Sequence, residues 1–358
     1  MRTLAQLRSA IDAVDQRLLA LLDERAALAH EVGEVKRLDG SPVFRPDREA
    51  QVIAKMQAAG SALKPEGVGA IWREIMSACR ALEEPQRVAF LGPKGTYSEE
   101  AAQHFFGSSM GSIACQSIDE VFRATSSGSA EFGVVPIENS TEGVIARTMD
   151  LLLASNVHIV GNVSLMVRHN LLRQTQSMDD IEVVYGHPQA LAQCQAWLSA
   201  HLPKAERRAA FSNAEGARQA ALDAASAAIA SSRAASEFGL QIVAKAIQDE
   251  AHNRTRFAVI CHPDVMPLPD RTGNDAVSLV VSVRNQPGAL HDLIFPMKKH
   301  GVSMTRFESR PARSAQWDYN FYIDLSGHVT DKPVAAALAE LQQHCAFYKV
   351  LGCYPASD

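Results

Sequence analysis

Residues 4–38 contain no proline and a single glycine, Gly33, and their apolar positions recur as Leu4, Leu7, Ile11, Val14, Leu18, Leu21, Leu28, Val32 and Val35. That a/d heptad predicts one long helix, about 50 Å from end to end. The segment before the next change of pattern is too short to bury such a rod, so its seam asks for a partner chain in an intertwined dimer. Asp39-Gly40-Ser41-Pro42 ends the helix. A second helix from about residue 47 carries Arg45, Arg48 and Glu49 at its entrance. A third, about 66–84, puts Cys79 and Glu83 four residues apart on one face.

After Glu83-Glu84-Pro85-Gln86 the period changes to strand, loop, helix. Residues 88–91 read as a strand and 92–97 as a loop, with Ser98 as N-cap ahead of Glu99 and Glu100. The same grammar recurs. A strand at 132–135 leads through residues 136–143 into a helix at 144–153. Another at 183–185 leads into Gly186-His187-Pro188-Gln189, with Pro188 suited to the first helical position. A last strand, 256–260, is introduced by Asn253-Arg254-Thr255, and the Ala/Ser-rich stretch 220–235 reads as helix. Strands alternating with helices predict a mostly parallel sheet with ligands at the loops beyond the strand ends. Beyond a Pro-rich linker at 264–275, strands at 277–283, 302–310, 319–325 and 347–354 alternate with helices at 288–300 and 332–345. That βαββαβ order is ferredoxin-like.

At 358 residues the chain is too long for one core and suggests two or three domains. With 47% hydrophobic and 21% charged residues it has ordinary globular composition, and a net charge of −5 leaves no electrostatic footprint for nucleic acid. No apolar run is long enough for a membrane span. The first residues lack the apolar core of a signal peptide, and the six cysteines never take C-x-x-C spacing. These features predict a cytoplasmic protein with reduced thiols, the scattered His and Cys residues argue against a structural zinc, and no cofactor is expected.

Candidate chemistry begins with Arg25, which occupies an a position where Leu or Val belongs; an arginine there must meet an anion or water. Arg8 and Lys36 fall at e. On a straight helix Arg25 and Lys36 lie within about 20° of each other, while Arg8 is rotated by roughly 80–100°, toward another site or the partner's. Edge charges pairing with acids would suit Arg8 and Lys36 singly but suit Arg25 poorly. Several inward cations with one carboxylate fit a small dianion. Further along, the loop Gly92-Pro93-Lys94-Gly95-Thr96-Tyr97 is neither a dinucleotide fingerprint nor a Walker sequence. His187 before proline reads as a turn residue or a catalyst. Asn139-Ser140-Thr141 reads as a helix cap or part of a site, and Glu138 as a site residue or the partner of a nearby arginine.

LRSAIDAVDQRLLALLDERAALAHEVGEVK, followed by PVFRPDREAQV, resembles the all-helical chorismate mutase family over residues 1–84. The resemblance implies a three-helix, dimer-swapped domain in which Arg8 of the partner chain and Arg25 hold the two substrate carboxylates. Lys36 would bond the ether oxygen, Glu49 the ring hydroxyl, with Arg45, Arg48 and Cys79 completing the site. Glu83 stands where the family has a glutamine that donates to the ether oxygen, so it would have to be protonated to serve. Mutase activity should then fall as pH rises through the Glu83 pKa.

GPKGTYS, VPIENSTEG, GHPQALAQC and NRTRF together are similar to prephenate dehydratase over residues 87–263. That family implies two α/β lobes around a cleft, similar to periplasmic binding proteins. Thr255 would be the residue most tied to catalysis, with Glu138, Asn139, Ser140, Thr141, Gln189 and Arg256 lining the substrate site. In residues 276–358, Gly288-Ala289-Leu290 and Glu308-Ser309-Arg310-Pro311 resemble the phenylalanine-binding ACT domain. Gly288 would let a helix N-terminus meet an amino-acid carboxylate.

The resemblances imply one bifunctional enzyme that takes chorismate through prephenate to phenylpyruvate, is inhibited by L-phenylalanine, and assembles as a homodimer or larger. Two alternatives compete with it: a dehydratase with a decayed mutase half, suggested by Arg45, Cys79 and Glu83, and a non-catalytic amino-acid sensor.

Overall fold

The computed structural model describes residues 2–82, 85–284, 286–312 and 319–356. The chain forms two compact units, Met1–Gln86 with Phe106–Gly111, and Arg87–Phe105 with Ser112–Asp358.

The first unit is helical. Helix α1, Leu4–Asp39, opens on a reciprocal capping box between Thr3 and Gln6 and stops at Gly40, whose φ of 74° is left-handed. Helices α2, Pro46–Ala58, and α3, Pro65–Ala81, each start with proline in the first turn. Helix α3 thus ends earlier than the pattern predicted, and Glu83 lies outside the described residues. In α1 the buried residue is Gly33, while Leu7, Ile11, Val14, Leu18 and Leu21 are exposed along the heptad seam. Val68, Met76 and Cys79 turn the apolar face of α3 inward. The segment Phe106–Gly111 docks on α3: Ser108 donates to Glu74, and the Ser109 amide donates to Ser77 Oγ at 3.2 Å.

The second unit begins with one α/β lobe. It runs β1 (Arg87–Leu91), α4 (Tyr97–Phe106), β2 (Gly111–Cys115), α5 (Ile118–Ser126), β3 (Phe132–Asn139), β4 (Gly143–Val144), α6 (Ala146–Ala154) and β5 (His158–Met166). Helix α4 begins one residue before Ser98, and Thr96 Oγ1 takes the capping role by accepting from the Glu99 amide at 3.4 Å. The chain then crosses into a second lobe. Its elements are β6 (Asn170–Arg173), β7 (Val183–Gly186), α7 (Pro188–Gln193), α8 (Gln195–His201), β8 (Glu206–Ala209), α9 (Asn213–Ala220), β9 (Ser226–Ala230), α10 (Ser232–Phe238) and β10 (Gln241–Ala244). It returns along β11 (Arg254–Cys261).

The helix expected at 220–235 is instead a turn, the strand β9 and the start of α10. Alanine favours helix intrinsically, but burial outranks propensity here. All five residues of β9 are buried between β6 and β7. Their small side chains let Ala217, Ala220, Ala234 and Ala235 pack closely against the strand.

The chain closes with β12 (Asp275–Ser282), α11 (Ala289–His300), β13 (Met304–Pro311), β14 (Tyr319–Ser326), α12 (Lys332–His344) and β15 (Phe347–Pro355), in ferredoxin-like order. Its four strands continue the sheet of the first lobe, giving ten strands in the order β13-β14-β12-β15-β5-β11-β3-β1-β2, with β4 beside β3. The second lobe has its own five-stranded sheet, β10-β6-β9-β7-β8. The two parts of the ten-stranded sheet join where Gly352 of β15 pairs with Ile159 of β5. A Cβ at Gly352 would stand 2.1 Å from the Ile159 carbonyl oxygen, so only glycine permits this approach.

Candidate functional site

The helical unit holds a cavity of about 310 Å³ lined by Arg25, Lys36, Arg45, Arg48, Glu49 and Cys79, together with Arg80 and apolar residues of all three helices. Arg25 Nη1 donates to Cys79 Sγ at 2.9 Å, and Lys36 Nζ to the Val43 carbonyl at 2.8 Å. Arg45 makes a two-pronged pair with the buried Asp47, at 3.0 and 2.6 Å. Glu49 pairs with Arg80; burial pushes its pKa up, while Arg80, Arg73 and Arg25 oppose that rise. Cations thus outnumber acids in a partly apolar pocket, the arrangement a small dianion requires.

Arg8 is absent from this lining. It precedes Arg25 by seventeen positions on one helix, about 25 Å along the axis, and cannot reach the same pocket within one chain. Arg80 is a pocket residue that the pattern of the sequence did not single out. The available signal was its seven-residue spacing from Arg73, which puts both on the same face of α3.

In the second unit, Asn139 is a hub. Its Nδ2 donates to Thr255 Oγ1 at 2.9 Å and to Asn253 Oδ1 at 2.8 Å, while its Oδ1 accepts from the amides of Thr141 and Glu142 at 3.0 and 3.2 Å. Asn139 and Thr255 face each other across β3 and β11. Ser140 is tied to the backbone of Arg254 in both directions, which fixes the loop. A cavity of about 310 Å³ opens beside this hub, lined by Thr141, Glu142, Gln189, Gln193 and Asn253. Gln193 Oε1 is bonded to His169 Nε2 at 2.8 Å. Burial lowers the His169 pKa, which favours the neutral ring beside Gln193. Gln193 and Asn253 both stand inside the motifs GHPQALAQC and NRTRF, so the sequence carries a signal for both. His187 takes the turn role: its side chain caps α7 by accepting from the Gln189 amide.

Glu138 and Arg256 do not join this group. Successive strand residues face opposite sides, so the neighbours of Asn139 and Thr255 turn to the other face of the sheet. There Arg256 meets Glu138 at 3.4 Å and Asp324 of β14 at 3.2 Å, and Glu138 also meets Arg306 of β13 at 3.1 Å. The ion pairs thus place Glu138 and Arg256 on the face of these strands opposite the Asn139–Thr255 hub.

Gly288 caps α11 with φ of 83°, and among the described residues a Cβ there would meet nothing within 4 Å, so its backbone conformation is what calls for glycine. Ala289 and Leu290 open that helix, and Glu308, Ser309, Arg310 and Pro311 lie on β13. Arg310 pairs with Asp150 of α6 at 3.3 Å.

A cation-lined helical pocket and a two-lobed α/β body with an Asn–Thr hub define a chain built from two enzymatic modules. Residues 7–84 match the family model for chorismate mutase type II, and residues 88–265 that for prephenate dehydratase. The bifunctional chorismate mutase/prephenate dehydratase of Stutzerimonas stutzeri is 44% identical over 98% of this chain and 97% of its own length. The structure of prephenate dehydratase from Arthrobacter aurescens in complex with L-Phe is 33% identical, with a TM-score of 0.69, over 75% of this chain and 89% of that one. The structure of GqqA, a novel type of quorum-quenching acylase, is 30% identical to this chain with a TM-score of 0.68, over 75% of this chain and 98% of that one. The chain belongs to the family of bifunctional chorismate mutase/prephenate dehydratases.

Proposed function

We propose that this chain rearranges chorismate to prephenate in its helical pocket and converts prephenate to phenylpyruvate beside the Asn139–Thr255 hub. The observation that carries the reading is that one chain holds both a cation-rich pocket and a separate hub of polar side chains with a hydroxyl. A [3,3] rearrangement needs no nucleophile and no proton transfer. The protein has only to preorganise the reactive conformer and stabilise charge on the breaking C–O bond. Arg25, Lys36 and Arg48 supply that charge, and Glu49 accepts from the ring hydroxyl. The partner's Arg8 reaches the second substrate carboxylate when two α1 seams pair in a homodimer.

In the second step the ring carboxylate leaves as CO₂, its bonding electrons enter the ring, and the hydroxyl departs from the opposite carbon. Aromatisation drives the change, so the enzyme has to help the oxygen leave and desolvate the carboxylate. Asn139 donates to Thr255 Oγ1, which leaves the Thr255 hydroxyl hydrogen available for the departing oxygen. Thr141, Gln189 and Gln193 hold the substrate in the adjoining cavity.

Residues 276–358 act as the ACT domain and bind L-phenylalanine through Gly288-Ala289-Leu290 and Glu308–Pro311, inhibiting the enzyme. Inhibition requires that phenylalanine bind one state of the chain better than the other. Two variants test the division of labour. Arg25→Met should abolish chorismate consumption yet leave prephenate turnover intact, and Thr255→Val should do the reverse. If both variants lose the same activity, the two-site reading is wrong.

A further inference from the structure

We infer that Arg80 is a positioning residue of the helical pocket, aiming Glu49 from a mount built partly outside the mutase segment. The inference rests on the reading of that pocket as the mutase site. Arg80 Nη1 takes the Glu49 carboxylate. Its other nitrogens are engaged: Nε donates to Gln86 Oε1 at 2.9 Å, and Nη2 to the Phe106 carbonyl at 2.6 Å. The guanidinium also lies over the Phe44 ring, 5.0 Å from its centroid, and Phe44 stacks at a tilt against Phe106 at 5.0 Å. A guanidinium held on four sides is not available to swing onto a substrate, so its effect on the reaction passes through Glu49.

Gln86 and Phe106 both lie beyond residue 84, where the match to the mutase family ends. Both nevertheless belong to the compact helical unit. The cradle is fixed, because Ser108 bonds Glu74 and Ser109 bonds Ser77. The helical site is therefore completed by chain that follows the helices.

Charged groups facing Glu49 are Arg25 from α1 and Arg73 and Arg80 from α3, with Lys36, Arg45 and Arg48 around the same cavity. Burial raises the Glu49 pKa, and Arg80 is the foremost opposing influence. Without Arg80 the carboxyl gains its proton at a higher pH and no longer serves as a full acceptor.

The test uses the full chain, with chorismate and prephenate turnover measured separately across pH. Arg80→Met should lower mutase kcat/KM by roughly tenfold or more and move the acid limb of the mutase profile to higher pH, with prephenate turnover unchanged. Arg80→Lys, which keeps the charge, should restore the acid limb but only part of kcat. Gln86→Leu should shift both quantities the same way by less. Should Arg80→Met unfold the helical unit, the lysine and Gln86 variants decide in its place. A wild-type mutase pH profile in Arg80→Met, or wild-type behaviour throughout in Gln86→Leu, overturns the inference. Arg25→Met is the control on the underlying reading: full chorismate turnover in that variant would mean that the pocket is not the mutase site, whatever Arg80 does.

Discussion

Asn139 donates to Thr255 across β3 and β11 at 2.9 Å, and the residues beside them, Glu138 and Arg256, pair on the opposite face of the same two strands. One pair of strands therefore presents a neutral hydrogen-bonded couple to one side and an ion cluster to the other.

The polarity of the Asn139–Thr255 bond is the first testable feature. Asn139→Asp keeps the shape but removes the donor, so the Thr255 hydroxyl would turn to donate to the new carboxylate instead. Dehydratase kcat should fall on the order of 100-fold, as for loss of one aimed donor, with a smaller change in KM. Steady-state rates on prephenate check this, and an unchanged kcat would mean that the hydroxyl is not used in the reaction.

The ion cluster links the strand bearing Thr255 to the ferredoxin-like sheet. Asp324 accepts from Arg256 at 3.2 Å and from Ser278 at 2.6 Å. Asp324→Asn keeps the Ser278 bond and removes the charge pairing. Uninhibited dehydratase activity should stay within about threefold, while the phenylalanine concentration for half-inhibition moves by roughly fivefold or more. Coincident inhibition curves for variant and parent would exclude this cluster from the coupling.

Gly352 tests the joint between the two parts of the ten-stranded sheet. A methyl group there would drive β15 away from Ile159, whose carbonyl oxygen stands 2.1 Å from the ideal Cβ position. Backbone cannot yield as a flexible side chain can, so Gly352→Ala should cost about 2 kcal/mol in denaturant unfolding. No loss of stability would show that the strands separate freely.

How much of this was legible beforehand depends on the range of the forces. The α1 seam, its stop at Gly40 and the βαββαβ order follow from local period and turn chemistry, and the structure has them. Strand β9 was not legible, because its alanines take their conformation from neighbours distant in sequence. Glu138 and Arg256 were picked out by motif, yet the side each faces is set by strand register, which a motif does not state. Arg80 escaped because its partners, Glu49, Gln86 and Phe106, come from three separate stretches.

Acid stability offers another check. Burial lowers the pKa of His169, and of His158, below the ordinary value near 6.5. Above that pH both are neutral whether the chain is folded or not. As pH falls below about 6.5 the unfolded chain takes up the protons first, so stability is lost until the folded pKa is passed. The loss is at most about 1.4 kcal/mol per pH unit for each histidine. His169→Gln should flatten the slope of unfolding free energy between neutral and mildly acidic pH; an unaltered slope would assign the acid sensitivity elsewhere.

The most direct measurement is a time course of the purified chain with chorismate as the sole substrate, following prephenate and phenylpyruvate against heat-inactivated and buffer controls. The account predicts transient prephenate, then phenylpyruvate, and suppression of the second product by added L-phenylalanine. Chorismate left unconsumed would contradict the helical pocket's assignment, and prephenate accumulating without phenylpyruvate would contradict that of the Asn139–Thr255 hub.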